Sequence, residues 1–215
     1  MDPRQLINGL ILYLGLLVLL TFHEFGHAWM AMKCGDDTAL SQGRVSFNPL
    51  VHIDLIGTVV VPLLLILMAP GGFFAGWAKP VPVNPYNLRN PRLDDIMVTL
   101  AGPWMNLLLA IVLLGLARLG YVVHSHGLVE VCFNWAHLSL LLCFFNLIPI
   151  PPLDGSQVAR SLIGMSHETY QQIARYGIFI LILVLQVPAV QQTLDVLTTK
   201  SWLGIAGWYG MPLLT

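Results

Sequence analysis

Long runs of apolar residues occupy most of the chain, and polar residues are confined to the stretches between them. Four runs approach the ~20 residues that a helix needs to cross the hydrocarbon core of a bilayer. They are Leu6 to Met32, Ile96 to Ala117, Val131 to Ile148 and, with Arg175 near its start, Tyr170 to Val190. The pattern predicts an all-α integral membrane protein built as a bundle of about four full transmembrane helices.

The amino-acid composition agrees with a membrane location. Hydrophobic residues make up 56% of the 215 residues and charged residues only 10%, whereas soluble domains carry roughly 25% charged residues. The longest polar connections, about 20 to 25 residues each, are too short for a separate folded domain, so residues 1–215 are expected to form a single membrane domain. A formal charge of −1 without a run of Lys or Arg argues against nucleic acid as a partner.

His23, Glu24 and His27 interrupt the first apolar run with the pattern H-E-x-x-H. Residues four apart on a helix face the same way, so both imidazoles can bind one metal ion, and Glu24 places a carboxylate beside the attacking water. An ionisable residue inside a spanning helix costs roughly 2.5 to 3.5 kcal/mol, so such a cluster indicates function. The alternative, a hydrogen-bonded polar cluster in the bundle core, requires neither the histidine spacing nor the adjacent Glu.

A second polar cluster follows the third apolar run and ends in Asp154. Its sequence is Asn146-Leu-Ile-Pro-Ile-Pro-Pro-Leu-Asp154-Gly155, and the prolines end the helix so that the Asp154 carboxylate can turn back toward the bundle. A catalytic zinc has three protein ligands and one open position. His23, His27 and Asp154 are therefore predicted to bind one Zn²⁺ per chain, whereas Asp154 and Gly155 taken alone would indicate a surface turn.

The two clusters constrain the topology, because the ligands of one ion must lie at one depth in the membrane. His23 is roughly 25 Å along the first helix, near one edge of the ~30 Å hydrocarbon core, and Asp154 follows the C-terminal end of the third run. These ends meet only if the two helices run parallel, which requires an odd number of crossings between them. The shorter apolar stretch Ile53 to Ala69 is therefore predicted to form a re-entrant or partial segment (53–78), with an irregular return through Gly71 to Trp77. Such backbone must be lined by protein or water.

Lys and Arg residues favour the cytoplasmic side of a membrane. In the topology described above, seven lie on the face of the metal site and three on the opposite face. The seven are Lys33, Arg44, Lys79, Arg89, Arg92, Arg160 and Arg175, and the three are Arg4, Arg118 and Lys200. The distribution predicts a multi-pass protein of the cell membrane with its active site toward the cytoplasm and its N-terminus outside.

The polar stretch after the first helix predicts a small β-hairpin near residues 36–48. Ser41-Gln42-Gly43 is a turn signal, and Arg44 to Phe47 alternate between polar and apolar residues. Two interpretations of this hairpin stay open. It is either an ordinary surface hairpin or an exposed strand edge that holds an unwound substrate by β-addition.

Three signatures, in this order along the chain, resemble those of the site-2 protease family of intramembrane zinc metalloproteases. They are HEFGH, the A-G-P-x-x-N stretch from Ala101 to Asn106, and the N-x-x-P…L-D-G pattern that ends at Gly155. The similarity extends from Phe22 to about Arg160 and is closest to the small bacterial and archaeal branch without attached sensor domains.

The resemblance implies an endopeptidase that hydrolyses peptide bonds within or near the transmembrane segments of membrane-protein substrates. It implies His23, His27 and Asp154 as zinc ligands, Glu24 as the general base, and Asn146 as a catalytic group that steadies the oxyanion. The alternative for Asn146 is an interhelical hydrogen bond. Gly102 and Asn106 are expected to serve helix packing, with contact between Asn106 and the substrate backbone as the alternative.

Two other functions are considered. A non-catalytic membrane scaffold or transporter-like protein that retains a metal site would not require Glu24. Another membrane H-E-x-x-H peptidase would take its third ligand from a Glu on a later helix, but the late acids Glu168 and Asp195 lie in no such motif. The expected partners are the lipid bilayer and a transmembrane segment of a substrate. The substrate, the regulator, the oligomeric state and the role of the tail 201–215 do not follow from the sequence.

Overall fold

A computed structural model describes residues 3–68 and 76–211 of the chain. These ranges contain nine α-helices. They are α1 (Pro3–Lys33), α2 (Thr38–Ser41), α3 (Val61–Met68), α4 (Pro91–Val122), α5 (His126–Asn146), α6 (Asp154–Ile163), α7 (His167–Ala174), α8 (Gly177–Leu185) and α9 (Pro188–Trp208). Three of them, α1, α4 and α5, are long and apolar enough to cross a membrane, and α8 with α9 would make a fourth span if the bent pair is counted as one.

Helices α1 and α4 pack against each other in opposite directions. The His27 ring bonds to the carbonyl of Val98 (Nδ1–O 2.8 Å), and the His23 ring lies 3.1 Å from the amide of Asn106. Residues nearer the N-terminus of α1 therefore contact residues nearer the C-terminus of α4. The C-terminal part of α1 lies beside the N-terminal half of α4.

Helix α5 runs parallel to α1. The Trp135 indole donates to the carbonyl of Ile11 (Nε1–O 3.0 Å), and further along both helices Leu142 packs in a cluster with Leu16 and Leu20. This is the relative direction that the shared metal site demands. It brings the C-terminal end of α5 to the level of the H-E-x-x-H motif.

The two ends of the segment 53–78 lie side by side and are joined by main-chain hydrogen bonds. The Lys79 N–H donates to the carbonyl of His52 (2.9 Å), and the Trp77 N–H donates to the carbonyl of Gly57 (3.1 Å). The described part of the segment consists of a short π-helix, Leu55–Val60, followed by α3. The described start and end of the segment are therefore held side by side.

Helix α3 lies alongside the N-terminal half of α1, where a Cβ on Gly9 would lie 3.0 Å from the Ile66 side chain. Pro62 is the second residue of α3, which follows the π-helix without a break. The predicted irregular return through Gly71 falls largely on residues 69–75, which lie outside the described residues.

The predicted β-hairpin at residues 36–48 is wrong. The described chain there forms α2 and a turn at Gly43 (φ +67°), without a strand. Side-chain hydrogen bonds override the alternation: the Asp36 carboxylate accepts the Thr38 N–H (3.1 Å) and starts a helical turn. Arg44 is buried and donates to the Lys79 carbonyl, while Phe47 stacks on Phe25 of α1.

The continuous span predicted from Tyr170 to Val190 is divided among α7, α8 and α9. Val187 is extended (φ −76°, ψ 117°), because a residue that precedes a proline is disfavoured in the helical region. The α8 and α9 axes consequently differ by 80°. The fourth candidate span is therefore a bent pair of helices and not a single one.

The C-terminal part of α9 belongs to the bundle. Tyr209, which follows α9, donates its hydroxyl to the carbonyl of Ile111 in α4 (3.1 Å). Nine buried residues of α4, α5, α9 and the following turn form the core on this side: Ala110, Leu114, Ala117, Cys132, Ala136, Leu140, Ile205, Ala206 and Met211. The tail from 201 to 211 is thus a packing element in the described structure.

Candidate metal centre

Three side chains from two separate parts of the chain converge on one point. The Nε2 atoms of His23 and His27 are 3.1 Å apart, and the Asp154 Oδ2 atom lies 3.2 Å from the first and 3.3 Å from the second. Both histidines are buried, and the Asp154 side chain is 14% exposed. These are the three residues that the sequence predicts as metal ligands.

The spacing of the three atoms fits a zinc ion. An ion about 2.0 to 2.1 Å from each atom would see them at angles of roughly 100°, close to those of a tetrahedral site. Buried Asp154 Oδ2 has no hydrogen-bond partner among the described residues, although such an atom normally has one. Two imidazole nitrogens and a carboxylate oxygen are also the donor types that zinc prefers. The residues therefore fit the ion, with a fourth position left on the cavity side.

Helix α4 orients both imidazoles from behind. His27 donates its Nδ1–H to the carbonyl of Val98, which leaves Nε2 with its lone pair directed at the site. His23 Nδ1 faces the fully buried amide of Asn106. The Asn106 Oδ1 atom has no partner among the described residues, so exchanging the two amide atoms gives an acceptor to His23 and satisfies that oxygen.

Asn106 is therefore a residue whose role the sequence prediction missed. The spacing of Gly102 and Asn106 places both on one face of α4, and packing was the expected role of that face. A fully buried amide in an apolar helix is itself a signal for a specific hydrogen bond. The sequence alone did not reveal that its partner is a histidine on α1.

Gly102 forms the wall behind the two imidazoles. A Cβ at this position would lie 2.3 Å from His27 Nε2 and 2.7 Å from His23 Cε1. Any larger residue would push the rings out of their positions. The packing role expected for Gly102 is thus a contact with the candidate metal ligands themselves.

Asp154 reaches the site because the chain turns sharply after α5. Leu153 is extended (φ −74°, ψ 155°) and Asp154 is the first residue of α6. A Cβ on Gly155 would lie 2.2 Å from the carbonyl oxygen of Leu147, so only glycine allows α6 to fold back against the end of α5. Burial raises the pKa of Asp154, but the neighbouring His27 and His23 lower it more, and the net shift is downward.

Glu24 faces a cavity of about 450 Å³ that also contains the three converging side chains. Its carboxylate is half-buried, and Oε2 accepts the N–H of Val81 (3.1 Å). Val81 stands between Pro80 and Pro82 in an extended segment that forms one wall of the cavity. A carboxylate is therefore fixed beside the metal centre without being one of the three converging groups.

Asn146, the last residue of α5, also lines this cavity. Its side-chain nitrogen donates to the carbonyl of Leu142 one turn earlier (2.9 Å). A primary amide carries two hydrogens on nitrogen, so one remains for another acceptor. The bond is made within α5, and the interhelical bond that was the alternative is not seen for this nitrogen.

The profile described as peptidase family M50 matches residues 11–123 and 116–185. YwhC of Bacillus subtilis, named as a candidate zinc metalloprotease, is 41% identical over 191 residues, which cover 85% of this chain and 82% of the relative. No solved structure gives a significant match.

Relatives from mycobacteria are also similar. Rip2 of Mycolicibacterium smegmatis, another candidate zinc metalloprotease by name, is 31% identical over 198 residues, covering 88% of this chain and 72% of the relative. Rip2 of Mycobacterium tuberculosis is 36% identical over 142 residues, covering 66% of this chain and 52% of the relative. The family match, over residues 11–123 and 116–185, covers the regions that carry the three converging side chains.

Proposed function

The chain belongs to peptidase family M50, and on that premise we propose that it is a zinc-dependent intramembrane endopeptidase. It hydrolyses peptide bonds within or near the transmembrane segments of membrane-protein substrates. One observation carries the proposal: His23, His27 and Asp154 converge within 3.1–3.3 Å beside a half-buried Glu24. A scaffold would need the first three residues but not the fourth.

His23, His27 and Asp154 hold the ion in this proposal. When bound, zinc supplies Lewis-acid polarisation of the scissile carbonyl and makes the attacking water easier to deprotonate. The protein residues contribute the remaining steps. Buried Gly102 closes the site behind the imidazoles, and half-buried Val81 lies on the cavity wall.

Glu24 is the proton carrier. One carboxylate oxygen is held by the Val81 N–H, and the carboxylate accepts a proton from the attacking water as the carbon–oxygen bond forms. The same proton then passes to the nitrogen of the leaving amine as the carbon–nitrogen bond breaks. A fixed carboxylate makes both transfers short and needs no second acid.

Asn146 supports the developing negative charge. Its nitrogen keeps one hydrogen beyond the bond to Leu142, and its position on the cavity wall is suitable for donating that hydrogen to the carbonyl oxygen of the substrate. Such a donor contributes roughly 2.7 to 4 kcal/mol in other hydrolases. The proposal gives Asn146 a catalytic role although it lies outside the converging triad.

The proposed setting is a bilayer crossed by α1, α4 and α5, with the active site toward the cytoplasm. The three helices have the length and composition of membrane spans. The Lys and Arg residues at the metal-site ends of these helices favour the cytoplasmic face. Substrate helices would reach the cavity from within the membrane and would have to unwind locally before cleavage.

The test uses Glu24→Gln in purified full-length protein. We expect zinc to bind to both the wild type and Glu24→Gln at one ion per chain, while Gln at position 24 lowers cleavage of single-span test substrates by roughly 10²- to 10⁴-fold. Glu130→Gln is the matched control, because Glu130 is exposed on α5 and its loss should leave cleavage unchanged. Equal cleavage by the wild type and Glu24→Gln would contradict the mechanism.

A further inference from the structure

Helix α6, which carries Asp154, is tied to α4 by a buried ion pair. Arg160 Nη2 lies 2.6 Å from Asp95 Oδ2, and the two side chains are 11% and 10% exposed. The hydroxyl of Ser161 donates to the same carboxylate oxygen. Asp154, the first residue of α6, and Arg160 are six residues apart, which is about 9 Å along the helix.

A second set of contacts fixes the N-terminal turn of α6. The Ser156 hydroxyl donates to the Leu153 carbonyl (2.7 Å), and the Tyr170 hydroxyl is 2.8 Å from the same Ser156 oxygen. The Arg160 guanidinium lies over the Tyr170 ring, 5.6 Å from its centre. The ion pair and the N-terminal turn are thus linked through one tyrosine.

All three candidate ligands are held in place by contacts with α4, directly or through another residue. His27 bonds to the Val98 carbonyl and His23 faces Asn106, while Asp154 is connected to α4 through Arg160 and Asp95. Asp95 lies one turn before Val98, so the ion pair joins α6 to the part of α4 that orients His27. A rotation or shift of α6 relative to α4 would move Asp154 relative to both histidines.

We propose that Asp95 and Arg160 are positioning residues, which hold α6 in the register that brings the Asp154 carboxylate to the metal. The inference rests on the proposed zinc site. Apolar contacts could stabilise the packing of α6 on α4 at least as well, because burying two charges carries a large desolvation cost. A directional pair adds what apolar contacts lack, since it fixes the rotation and the position of one helix against the other. Both residues line the same cavity as the candidate ligands, but neither is one of the three converging groups.

The experiment measures zinc affinity in the purified full chain by competition with a chromophoric chelator. Arg160→Met keeps the apolar stem over Tyr170 and removes the charge, and Asp95→Asn keeps the size of its partner. Each variant should raise the zinc dissociation constant roughly 10-fold, the lower end of the effect of groups that orient metal ligands. The double variant should be no weaker than either single variant, because both act through one contact.

Arg92→Met is the matched control. Arg92 also connects α4 to α6, by donating to the Leu162 carbonyl, but it is exposed. We expect its zinc affinity to stay within about 2-fold of the wild type, as for most exposed contacts. Arg160→Lys, which keeps the charge, should recover most of the affinity that Arg160→Met loses.

A purely structural role is distinguished by the visible absorption of bound Co²⁺, which reports the geometry of its ligands. Arg160→Met and Asp95→Asn should change this spectrum, and a variant that only lowers the melting temperature should not. Unchanged zinc affinity and an unchanged spectrum in Asp95→Asn would overturn the inference. If Arg160→Met fails to fold, Asp95→Asn decides alone. Asp154→Asn separates the two proposals: if it binds zinc as well as the wild type, the proposed metal site itself is wrong.

Discussion

The candidate ligands depend on contacts behind them as much as on their own spacing. The i, i+4 arrangement turns two imidazoles to one face of α1, but it does not choose which ring nitrogen meets the ion. Val98 makes that choice for His27, and Asn106 makes it for His23. The site is therefore specified by α4 as well as by the H-E-x-x-H motif.

Replacing Asn106 by Leu tests, at a single residue, whether contacts from α4 specify the candidate metal site. The substitution keeps the number and branching of the side-chain heavy atoms but removes the partner of His23 Nδ1. Zinc affinity should fall roughly 10- to 100-fold, measured by chelator competition. Asn134→Leu is the control, because Asn134 lies exposed on α5. A loss of the same size in both variants would mean that Asn106 has no specific role.

Gly102→Ala should damage the site without a change of charge. The added Cβ would lie 2.3 Å from His27 Nε2, so the imidazole must move away from the point where the three groups converge. We expect Gly102→Ala to lose bound zinc and cleavage together. Gly204→Ala places a methyl group in open space on α9 and should stabilise that helix by up to about 1 kcal/mol. Zinc content by elemental analysis and thermal melts separate the two outcomes.

Between the helices, the connection after α1 is organised by a single buried carboxylate. Asp36 is fully buried, accepts the main-chain N–H of Asn84 (2.7 Å) and the side-chain amide of Asn87 (2.9 Å), and also caps α2 through Thr38. Burial raises the pKa of Asp36, but the hydrogen bonds from Thr38, Asn84 and Asn87 lower it by more, and the net shift is downward. The carboxylate thereby anchors the far end of the extended segment whose Val81 N–H holds Glu24.

Asp36→Asn is expected to lower the free energy of unfolding by about 1.5 to 3 kcal/mol at pH 7, the range for hydrogen bonds to charged groups. A carboxyl group with a depressed folded pKa contributes stability above its unfolded pKa of about 3.9 and loses it as the pH falls through the folded pKa. The difference between wild type and variant should therefore be constant from pH 7 to about pH 5 and shrink below about pH 4. Denaturant unfolding at several pH values measures it.

Asp37→Asn is the control for this series. Asp37 is exposed, and its side chain makes no capping hydrogen bond to α2. Its substitution should change the unfolding free energy by less than about 0.5 kcal/mol at every pH. A pH-independent difference for Asp36→Asn would show that the carboxylate is not the charged form that the hydrogen bonds favour.

Some features of these elements can be predicted from the sequence, and others cannot. The spans α1, α4 and α5 follow from the length of their apolar runs, and the parallel direction of α1 and α5 follows from the need to bring His23 and Asp154 together. The predicted hairpin at 36–48 is wrong because Asp36 bonds to Asn84 and Asn87 and Arg44 bonds to Lys79, and such long-range partners leave no local pattern. Pro188 indicates the break before α9, but the apolar run that continues past it to Val190 predicts one continuous span.

At the scale of the whole molecule, the metal site imposes a topology that labelling can test. In the proposed arrangement the segment 53–78 returns to its starting side, so Leu50 and Tyr86, which are 72% and 92% exposed, lie on the same face. Ser125, between α4 and α5, lies on the opposite face. The three native cysteines are buried and should react slowly, so single Cys substitutions at these positions report their own accessibility.

A membrane-impermeant maleimide added to intact cells should therefore label Ser125→Cys and should label Leu50→Cys and Tyr86→Cys only after permeabilisation. The expectation combines two independent arguments. The excess of Lys and Arg favours a cytoplasmic position for the metal-site face, and the bonds from Lys79 to His52 and from Trp77 to Gly57 join the two ends of the segment. Labelling of Leu50→Cys and Tyr86→Cys from opposite sides would show that the segment crosses the bilayer. Labelling of both from outside, with Ser125→Cys protected, would keep the fold but reverse its orientation.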